Sequence, residues 1–456
     1  MGCFRRALPL AFLVLPLFAA CSGTPNSGSG GGGSSSTSIS TSGEPTDSGP
    51  PDVTTTHYDG SVDGHLCNLP GSIRFMGGPK PVTVPGNDSP VDLSFVKVPE
   101  GFCVHHYAHV GNARQLRFAP GGELFVASPT EGTTGGGPGG QNAIVIVPDD
   151  DKDGQGDNPV VFLGNLKATQ GMLFTKTYFY YQNDTQILRL PYKAGDRAPS
   201  AAGEMVANIT LYHSSLHWPK TLDISDSGTI YVGNGGDQNE ACDPSRPFHG
   251  GILKLDGSPG GTPVARGLRN PIGVRCARGH DRCYSVELAK DYSAKEGGRE
   301  KLIPIRDGDD WGFPCCATKN KPFDTVMPVP NCSKTVAESD SFIIGATPMD
   351  LEFEASGVWP DPWGKRVYVP LHGEAGTWFG ARLVAIAVDP ATGDPMFGSD
   401  LDAGVSGGAM ADFVNGWDDG TLSHGRPAAV TFSPDGRLFI ANDTNGEIFW
   451  IAPLSL

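Results

Sequence analysis

The sequence predicts an all-β fold, a six-bladed β-propeller, and three observations lead to this prediction. The 456 residues include 63 glycines and 39 prolines, and the apolar runs between them are short and bounded by turn-forming residues. Few long stretches show the roughly 3.6-residue apolar period of a helix. A unit of two apolar strands joined by a turn returns six times along the chain.

The repeated unit accounts for residues 60–456, which we expect to form the propeller. Turn sequences such as Pro-Gly-Gly, Asp-Ser-Gly and Pro-Asp-Gly join its two strands. Successive copies start roughly 50 to 80 residues apart, which suits four-stranded blades that pack on one another. The copies start at Leu116, Gly171, Thr221, Pro271, Met349 and Ala429. The stretch PEGFCVHHYAHV precedes the first copy, and we expect it to supply the outer strand that closes the ring against the last blade.

The N-terminus has the pattern of a secretory signal at residues 1–21. Two arginines precede an apolar run, and small residues follow ahead of Cys21. The segment Phe18-Ala19-Ala20-Cys21 resembles a bacterial lipobox, which implies that Cys21 is lipidated and holds the protein to a bacterial membrane, on its periplasmic or cell-surface side. Ordinary cleavage near Ala20 is the alternative. Residues 22–59 are rich in Gly, Ser and Thr, cannot bury a core, and are predicted to be a disordered tether.

Net charge and cysteine content indicate which partners and which redox compartment fit the sequence. The net charge of −16 argues against a nucleic-acid partner, because phosphate binding needs a basic face. Of the ten cysteines, eight remain after Cys3 and Cys21, an even number that predicts disulfides in an exported protein. Three bridges are expected: Cys276 with Cys283, Cys67 with Cys103, and Cys332 with either Cys315 or Cys316. A metal or redox role for the adjacent pair Cys315-Cys316 is the alternative.

The stretch RGLRNPIGV places Arg269 and Asn270 ahead of a proline, where an apolar strand starts. A strand start needs neither a cation nor an amide, which raises the question of whether these residues hold a ligand. The alternative is structural: Arg269 pairs with an acidic loop residue, and Asn270 caps a turn.

Several motifs together resemble the soluble quinoprotein glucose dehydrogenase and sorbosone dehydrogenase family. They occur in the family's order, from about Phe95 to the C-terminus: HWPKTLDISDSGTIYVGNGGD, GLRNPIGV, DDWGFP, YVPLHGE and GRPAAVTFSPDGRLFIANDTNGEIFWI. The resemblance implies a periplasmic enzyme that binds pyrroloquinoline quinone (PQQ) and calcium and oxidises sugars or sugar-derived aldehydes. It also implies an external electron acceptor.

The resemblance assigns roles to individual residues. It implies that His217 is the catalytic base and that Arg269 lies near the cofactor carbonyl that accepts hydride. An imidazole suits the first role because it titrates near neutral pH. Other positions that match cofactor contacts are Gln170, Lys220, Asn270, His372 and Arg426.

The sequence departs from the family at three places. Lys220 stands where Arg is common, and it keeps the charge but loses the bidentate fork. Ala428 replaces a second arginine of the glucose dehydrogenases. In the calcium region Glu287 is kept as a contact, while the neighbouring Gly-Pro carbonyl pair is absent. These departures affect positions that the family uses to bind PQQ and calcium.

A second calcium candidate is the acidic stretch PDDDKDGQGDN. Its residues Asp149, Asp151, Asp153 and Asp157 have the spacing that wraps oxygen ligands around calcium. Val160 stands where an EF-hand has its bidentate glutamate, so we expect a structural calcium loop between strands. A solvated acidic turn is the alternative.

The three histidines of the stretch HHYAH, His105, His106 and His109, could in principle form a zinc site. Neighbours on a strand point to opposite faces, so we expect surface histidines rather than a metal site.

Two other functions are consistent with the sequence. One is a propeller that has lost catalysis and binds a glycan or a protein at the channel mouth. The other is a calcium-dependent lactonase, which needs acidic residues at the starts of the inner strands. The sequence offers mainly His217 and cations there, which favours an anionic ligand.

Overall fold

Four-stranded antiparallel sheets follow one another along the chain and are the six blades of a β-propeller, as predicted. The computed structural model describes residues 50, 66–86, 91–132, 139–210, 216–237, 241–243, 248, 250–290, 299–323, 326–337, 341–343, 345–396 and 410–456. The signal segment and, apart from Pro50, the tether lie outside these residues. The described residues contain no α-helix, and none of their helices is long and apolar enough to cross a membrane.

The strands of the first half are short, as the spacing of turn residues predicts. A 3-10 helix, η1 (Leu66–Asn68), opens the described fold. The strands before the first blade are β1 (Ile73–Phe75), β2 (Val82–Thr83) and β3 (Phe102–His109). Blade 1 contains β4 (Gln115–Phe118), β5 (Leu124–Ser128), β6 (Ala143–Val147) and β7 (Val160–Leu163). Blade 2 contains β8 (Met172–Phe174), β9 (Tyr178–Asn183), β10 (Gln186–Pro191) and β11 (Glu204–Asn208). Blade 3 contains β12 (Leu222–Ile224), β13 (Ile230–Asn234), β14 (Gly251–Leu255) and β15 (Thr262–Arg266).

The second half repeats the blade and adds one small hairpin. Blade 4 contains β16 (Asn270–Ala277), β17 (Arg282–Leu288), β18 (Glu300–Pro304) and β21 (Ser341–Phe342), with the hairpin β19 (Cys316–Thr318) and β20 (Lys321–Pro322) inserted. Blade 5 contains β22 (Glu352–Phe353), β23 (Arg366–Leu371), β24 (Arg382–Ala387) and β25 (Met410–Val414). Blade 6 contains β26 (Pro427–Phe432), β27 (Leu438–Asn442) and β28 (Glu447–Pro453), with β3 as its outer strand.

The strand β3 closes the ring by pairing antiparallel with β28, as predicted from its position before the first repeat. A register shift in this pairing brings His106 and His109 to the same carboxylate, at 2.8 and 2.9 Å from the oxygens of Glu447. The expectation of surface histidines is wrong for His105 and His106, which are buried. The reason is that β28 and Pro70 cover this strand: the ring of His105 stacks on Trp450 and contacts the Pro70 carbonyl.

Disulfide bridges connect loops of the propeller and attach η1 to β3. The expected bridges Cys67–Cys103 and Cys276–Cys283 are present, and Cys332 pairs with Cys316. The fourth bridge, Cys242–Cys315, was not predicted. The vicinal cysteines therefore serve two separate disulfides rather than a metal or redox site.

The inner strands β4, β8, β12, β16, β22 and β26 contact one another in sequence around the central channel. We call the end where these strands begin the site end, and the end where they finish the far end. Aliphatic and aromatic side chains fill the spaces between neighbouring blades. The channel itself contains buried charge: Arg275, 1% exposed in its side chain, bonds Asp350 at 2.9 Å and Glu352 at 3.1 Å.

Removing the Arg275 charge is expected to destabilise the propeller. The change Arg275→Met leaves the buried Asp350 carboxylate without its ion-pair partner and should lower the free energy of unfolding by about 3 kcal/mol or more. The control is Arg282→Met, which breaks a partly exposed pair with Asp394 and should cost less than about 1 kcal/mol. Denaturant unfolding of both variants checks this, and equal losses would contradict it.

Candidate functional site

The site end of the channel gathers the side chains that the sequence singles out. Gln170 precedes β8, His217 and Lys220 precede β12, and Arg426 precedes β26. Arg269 and Asn270 stand at the start of β16, and His372 follows β23. All of them are buried, with relative exposures of 5% or less. Polar residues this deeply buried require partners or a ligand.

His217 and Asn270 meet across a glycine. A Cβ atom at Gly235 would lie 2.2 Å from the Cβ of His217 and 3.1 Å from Oδ1 of Asn270, so no other residue fits there. The carbonyl oxygen of Gly236 lies 2.7 Å from Nδ1 of His217. Since a carbonyl only accepts, Nδ1 carries the proton, and the neutral ring has its lone pair on Nε2. This is the tautomer that a general base requires.

The backbone of Arg269 is held from two sides. Its carbonyl accepts a hydrogen bond from the Gly236 N–H at 2.8 Å, and its own N–H donates to Oε1 of Glu287 at 2.7 Å. The first of these bonds joins the loop that supports His217 to the start of β16. His217, Arg269 and Asn270 therefore form one rigid group.

Gln182 in β9 organises the neighbouring blade starts. Its Oε1 accepts hydrogen bonds from the backbone N–H groups of Gln170, Gly171 and Lys220, at 3.2, 3.3 and 2.9 Å. Its Nε2 donates to the Trp218 carbonyl at 2.8 Å. One buried amide thus fixes the starts of β8 and β12 against each other.

Lys220 is a buried cation with little compensation. The residue is 0% exposed, and among the described residues its Nζ has one hydrogen-bond acceptor, the Trp218 carbonyl at 3.3 Å. Burial lowers the pKa of Lys220 to about 7, and only the more distant Asp184 opposes this shift. Nearby, Oε1 of Gln170 and Oδ1 of Asn270 are buried and have no hydrogen-bond partner within the described part of the chain.

His372 and Arg426 belong to a second buried group, built around Asp443. Nε2 of His372 lies 2.9 Å from Oδ1 of Asp443, whose other oxygen bonds Arg114. Burial lowers the pKa of His372 to about 4, so the ring is neutral and donates to the carboxylate. Burial alone would raise the pKa of Asp443, but His372, Arg114 and Arg426 hold it well below its usual range.

The guanidinium of Arg426 is fixed by backbone and an aromatic ring. It donates to the carbonyl oxygens of His372 at 2.8 Å and Gly373 at 2.6 Å, and its central carbon lies 5.0 Å from the Trp378 ring centre. Burial lowers the pKa of Arg426 to about 10. At neutral pH it is therefore a buried charge at the mouth of the channel.

Glu287 has protein partners on both oxygens. Besides the Arg269 N–H, it accepts from Nζ of Lys301 at 3.0 Å, and both side chains of this ion pair are buried. A calcium ion bound here would compete with the Lys301 ammonium. The calcium role of Glu287 stays a prediction. Close by, burial and the Glu287 charge raise the pKa of Glu300 to about 8, although backbone N–H groups of the loop at Gly345 and Thr347 oppose the shift.

The acidic stretch after β6 lies away from this site, at the far end of the channel. Oxygen atoms of Asp149, Asp151 and Asp153 lie within 4.8 Å of one another, as a cation site requires. Asp157 is not part of this group among the described residues; its Oδ2 accepts the Asp150 N–H at 2.8 Å. Burial, with Asp153 and Asp151 adding to it, raises the pKa of Asp149 to about 6. A cation would relieve this repulsion.

The sequence did not single out Gln182, Arg114, Lys301 or Asp443. Asp443 follows a strand inside the closing motif FIAND, which is the signal that could have found it. The others act through contacts with residues far away in the chain, and no local pattern marks them.

Comparisons with known proteins establish the fold. Residues 91–260 match a family described as a domain of unknown function, DUF7133. None of the curated proteins matches the chain.

Solved structures that share the fold include sugar-oxidising enzymes. A Trichoderma reesei member of carbohydrate-active enzyme family AA12 is 18% identical, with a TM-score of 0.63 over 78% of this chain and 97% of its own. The PQQ domain of Coprinopsis cinerea pyranose dehydrogenase, in its holo form, is 17% identical, with a TM-score of 0.62 over 78% and 96%. The soluble aldose sugar dehydrogenase of Escherichia coli, in its apo form, is 11% identical, with a TM-score of 0.53 over 77% and 99%. At these identities the likeness shows the β-propeller fold.

The burial of Lys220 predicts a pH-dependent stability difference. Its pKa is lower in the folded than in the unfolded protein, so its burial costs stability fully below pH 7, and the cost disappears as the pH rises toward 10. In the ligand-free protein, Lys220→Met should raise the melting temperature by roughly 2 to 4 °C at pH 6.5 and by less at pH 9.5. Thermal unfolding at both values measures this, and a difference independent of pH would contradict it.

Proposed function

We propose that this protein is an exported, lipid-anchored dehydrogenase that oxidises a sugar, or a sugar-derived alcohol or aldehyde, with hydride transfer to PQQ. The observation that carries the proposal is the buried cation Lys220 at the site end, whose ammonium has a carbonyl but no carboxylate in hydrogen-bond contact among the described residues. A buried cation is stable when an anion compensates it. PQQ carries carboxylates and fits this requirement.

The surrounding residues fit the same ligand. Arg269 and Arg426 bring two further cations to the starts of blades 4 and 6, and Gln170 and Asn270 offer side-chain amides whose oxygens lack described partners. Fixed cationic donors are what a polyanionic cofactor needs. His372 contributes through its carbonyl, which holds the Arg426 guanidinium in place.

In the proposed mechanism, His217 and Arg269 have different roles. When bound, PQQ supplies the carbonyl that accepts hydride from the substrate carbon. His217, with its proton on Nδ1, takes the substrate hydroxyl proton at Nε2. Arg269 provides positive charge beside the reacting group, and the bonds from Glu287 and Gly236 keep its backbone fixed. An external acceptor then removes the electrons.

The location rests on the N-terminus. The signal pattern at residues 1–21 and the lipobox at Cys21 support export and lipid anchoring at a bacterial membrane, and the four disulfides fit an oxidising compartment. Residues 22–59 are the proposed tether.

A catalytically inactive propeller that binds a glycan or a protein is the second candidate. The buried Ala428 stands where glucose dehydrogenases have a second arginine, and the Lys301 ammonium occupies one oxygen of Glu287. Both observations weaken cofactor or calcium binding, and the experiment below separates the two candidates.

The role of His217 is tested by activity with added PQQ and calcium. The protein should reduce a dye with at least one of a panel of sugars, and His217→Ala should lower kcat by about 100-fold or more while PQQ still binds. The control is His424→Ala, since His424 lies near the same end but pairs with Asp419 at the surface. Normal activity of His217→Ala would disprove the mechanism, and a folded protein that binds no PQQ would favour the inactive propeller.

We propose that calcium also binds the acidic loop at the far end. Calcium should raise the melting temperature of the unmodified protein, because it relieves the repulsion between Asp149, Asp151 and Asp153. The double change Asp151→Asn with Asp153→Asn should remove this shift, and Asp418→Asn, at an exposed aspartate elsewhere, should keep it. An equal calcium shift in all three proteins would contradict a site in this loop.

A further inference from the structure

Residues 345–347 form a short loop at the site end, between β21 of blade 4 and β22 of blade 5. We call it the bracing loop. Its last residue, Thr347, has a φ angle of 56°, in the left-handed region. A β-branched residue rarely adopts this conformation, because it costs energy and persists only where neighbouring groups hold it. Strained residues are common at functional sites, so the contacts that hold Thr347 are informative.

Glu300, the first residue of β18, holds the bracing loop from blade 4. The residue is buried, with 5% of its surface exposed, and its Oε2 accepts the backbone N–H of Thr347. The backbone N–H of Gly345 also donates to this carboxyl group. Two hydrogen bonds from the loop to one buried side chain fix the bracing loop relative to β18.

The carbonyl groups of the bracing loop hold the segment that follows β23. The Thr347 carbonyl accepts the N–H of His372 at 2.9 Å, and the Ala346 carbonyl accepts the N–H of Gly373 at 3.0 Å. The carbonyls of His372 and Gly373 accept hydrogen bonds from the Arg426 guanidinium, at 2.8 and 2.6 Å. Each of these two residues therefore bonds the bracing loop through its N–H and Arg426 through its carbonyl.

Close packing leaves the segment at Gly373 little freedom. A Cβ atom at Gly373 would lie 2.7 Å from the backbone nitrogen of Ala381 and 2.7 Å from the carbonyl oxygen of Trp378. The Trp378 ring is also the aromatic partner of Arg426, at 5.0 Å. A shift of residues 372–373 would therefore disturb the backbone contacts of the Arg426 guanidinium and the packing beside its aromatic partner.

Glu300 also adjoins the residues that hold Arg269. Lys301 follows it in β18, and Nζ of Lys301 bonds Glu287 at 3.0 Å. Glu287 in turn accepts the backbone N–H of Arg269 at 2.7 Å. The start of β18 thus contributes to the supports of two arginines, one in blade 4 and one in blade 6.

We propose that Glu300 is a positioning residue: through the bracing loop it sets the place of Arg426, and thereby the affinity of the site end for an anionic ligand. Its role is indirect, because three successive sets of hydrogen bonds separate its carboxyl group from the Arg426 guanidinium. That the anion is PQQ rests on the proposed function. The positioning of Arg426 is a property of the ligand-free protein and does not depend on it.

Hydrogen–deuterium exchange on the ligand-free protein tests the positioning. Glu300→Met keeps a long side chain in the buried position but removes both acceptor oxygens, so residues 371–374 should exchange at least about threefold faster. Glu300→Gln keeps an amide oxygen that can accept the Thr347 N–H, and exchange there should rise less than about twofold. Unchanged exchange at residues 371–374 in Glu300→Met would overturn the proposal.

The matched control for this experiment is Glu354→Met. Glu354 is as buried as Glu300, with 6% of its surface exposed, and it lies at the far end of blade 5. It accepts the backbone N–H groups of Gly357 and Lys365, each at 2.9 Å. Its loss removes the same kind of bonds from the same blade, and it should leave exchange at residues 371–374 unchanged. Equal acceleration in the two Met variants would show a general loss of stability and overturn the proposal.

Calorimetric titration with PQQ tests whether Glu300 acts through Arg426. Glu300→Met should weaken PQQ binding by about tenfold, and Glu300→Gln by less than about threefold. In the Arg426→Met background, Glu300→Met should cause no further loss, because the group that it positions is absent. Losses that simply add would overturn the proposal. If the unmodified protein or Arg426→Met binds no PQQ, the exchange experiment alone decides the role of Glu300, and in the first case the proposed function fails.

Discussion

The pairing of β3 with β28 is the interaction on which the arrangement of the site depends. A β-sheet edge left open exposes unpaired backbone groups, and a propeller removes this problem by completing its last blade with a strand from before its first. Once the ring is closed, six inner strands begin at one end of one channel. Residues far apart in the chain, such as His217, Arg269 and Arg426, are then presented at the same end by the same backbone geometry.

Buried charge distinguishes the two ends of the channel. At the far end, Arg275 and Arg278 are matched by carboxylates, at 2.9 and 3.0 Å. At the site end, Lys220 lies in a fully buried position with only a carbonyl acceptor in contact, among the residues described. The cations Arg275 and Arg278 at the far end therefore have anionic partners within the protein, whereas the site end suits an added anion.

The fold could be predicted from the sequence because its signals are local. Each blade carries its own turn, and the expected disulfides join cysteines 7, 16 and 36 residues apart. The bridge Cys242–Cys315 was missed because it joins loops of two blades, 73 residues apart. Asp443 was missed for the same reason: its bonds reach His372 and Arg114, 71 and 329 residues away. The starts of the strands could be located from the sequence. The ion pair between Glu287 and Lys301 could be identified only from the folded structure.

The most direct test of the central claim is a calorimetric titration of the cofactor-free protein with PQQ at pH 8, in buffers of different ionisation enthalpy. The buried Lys220, with its pKa of about 7, is mostly neutral there, and an anion bound beside it should raise that pKa. We predict binding with proton uptake approaching one proton per site, and loss of that uptake in Lys220→Met. Absence of binding, or binding with the same proton uptake in Lys220→Met, would contradict the claim that this buried cation is compensated by the cofactor.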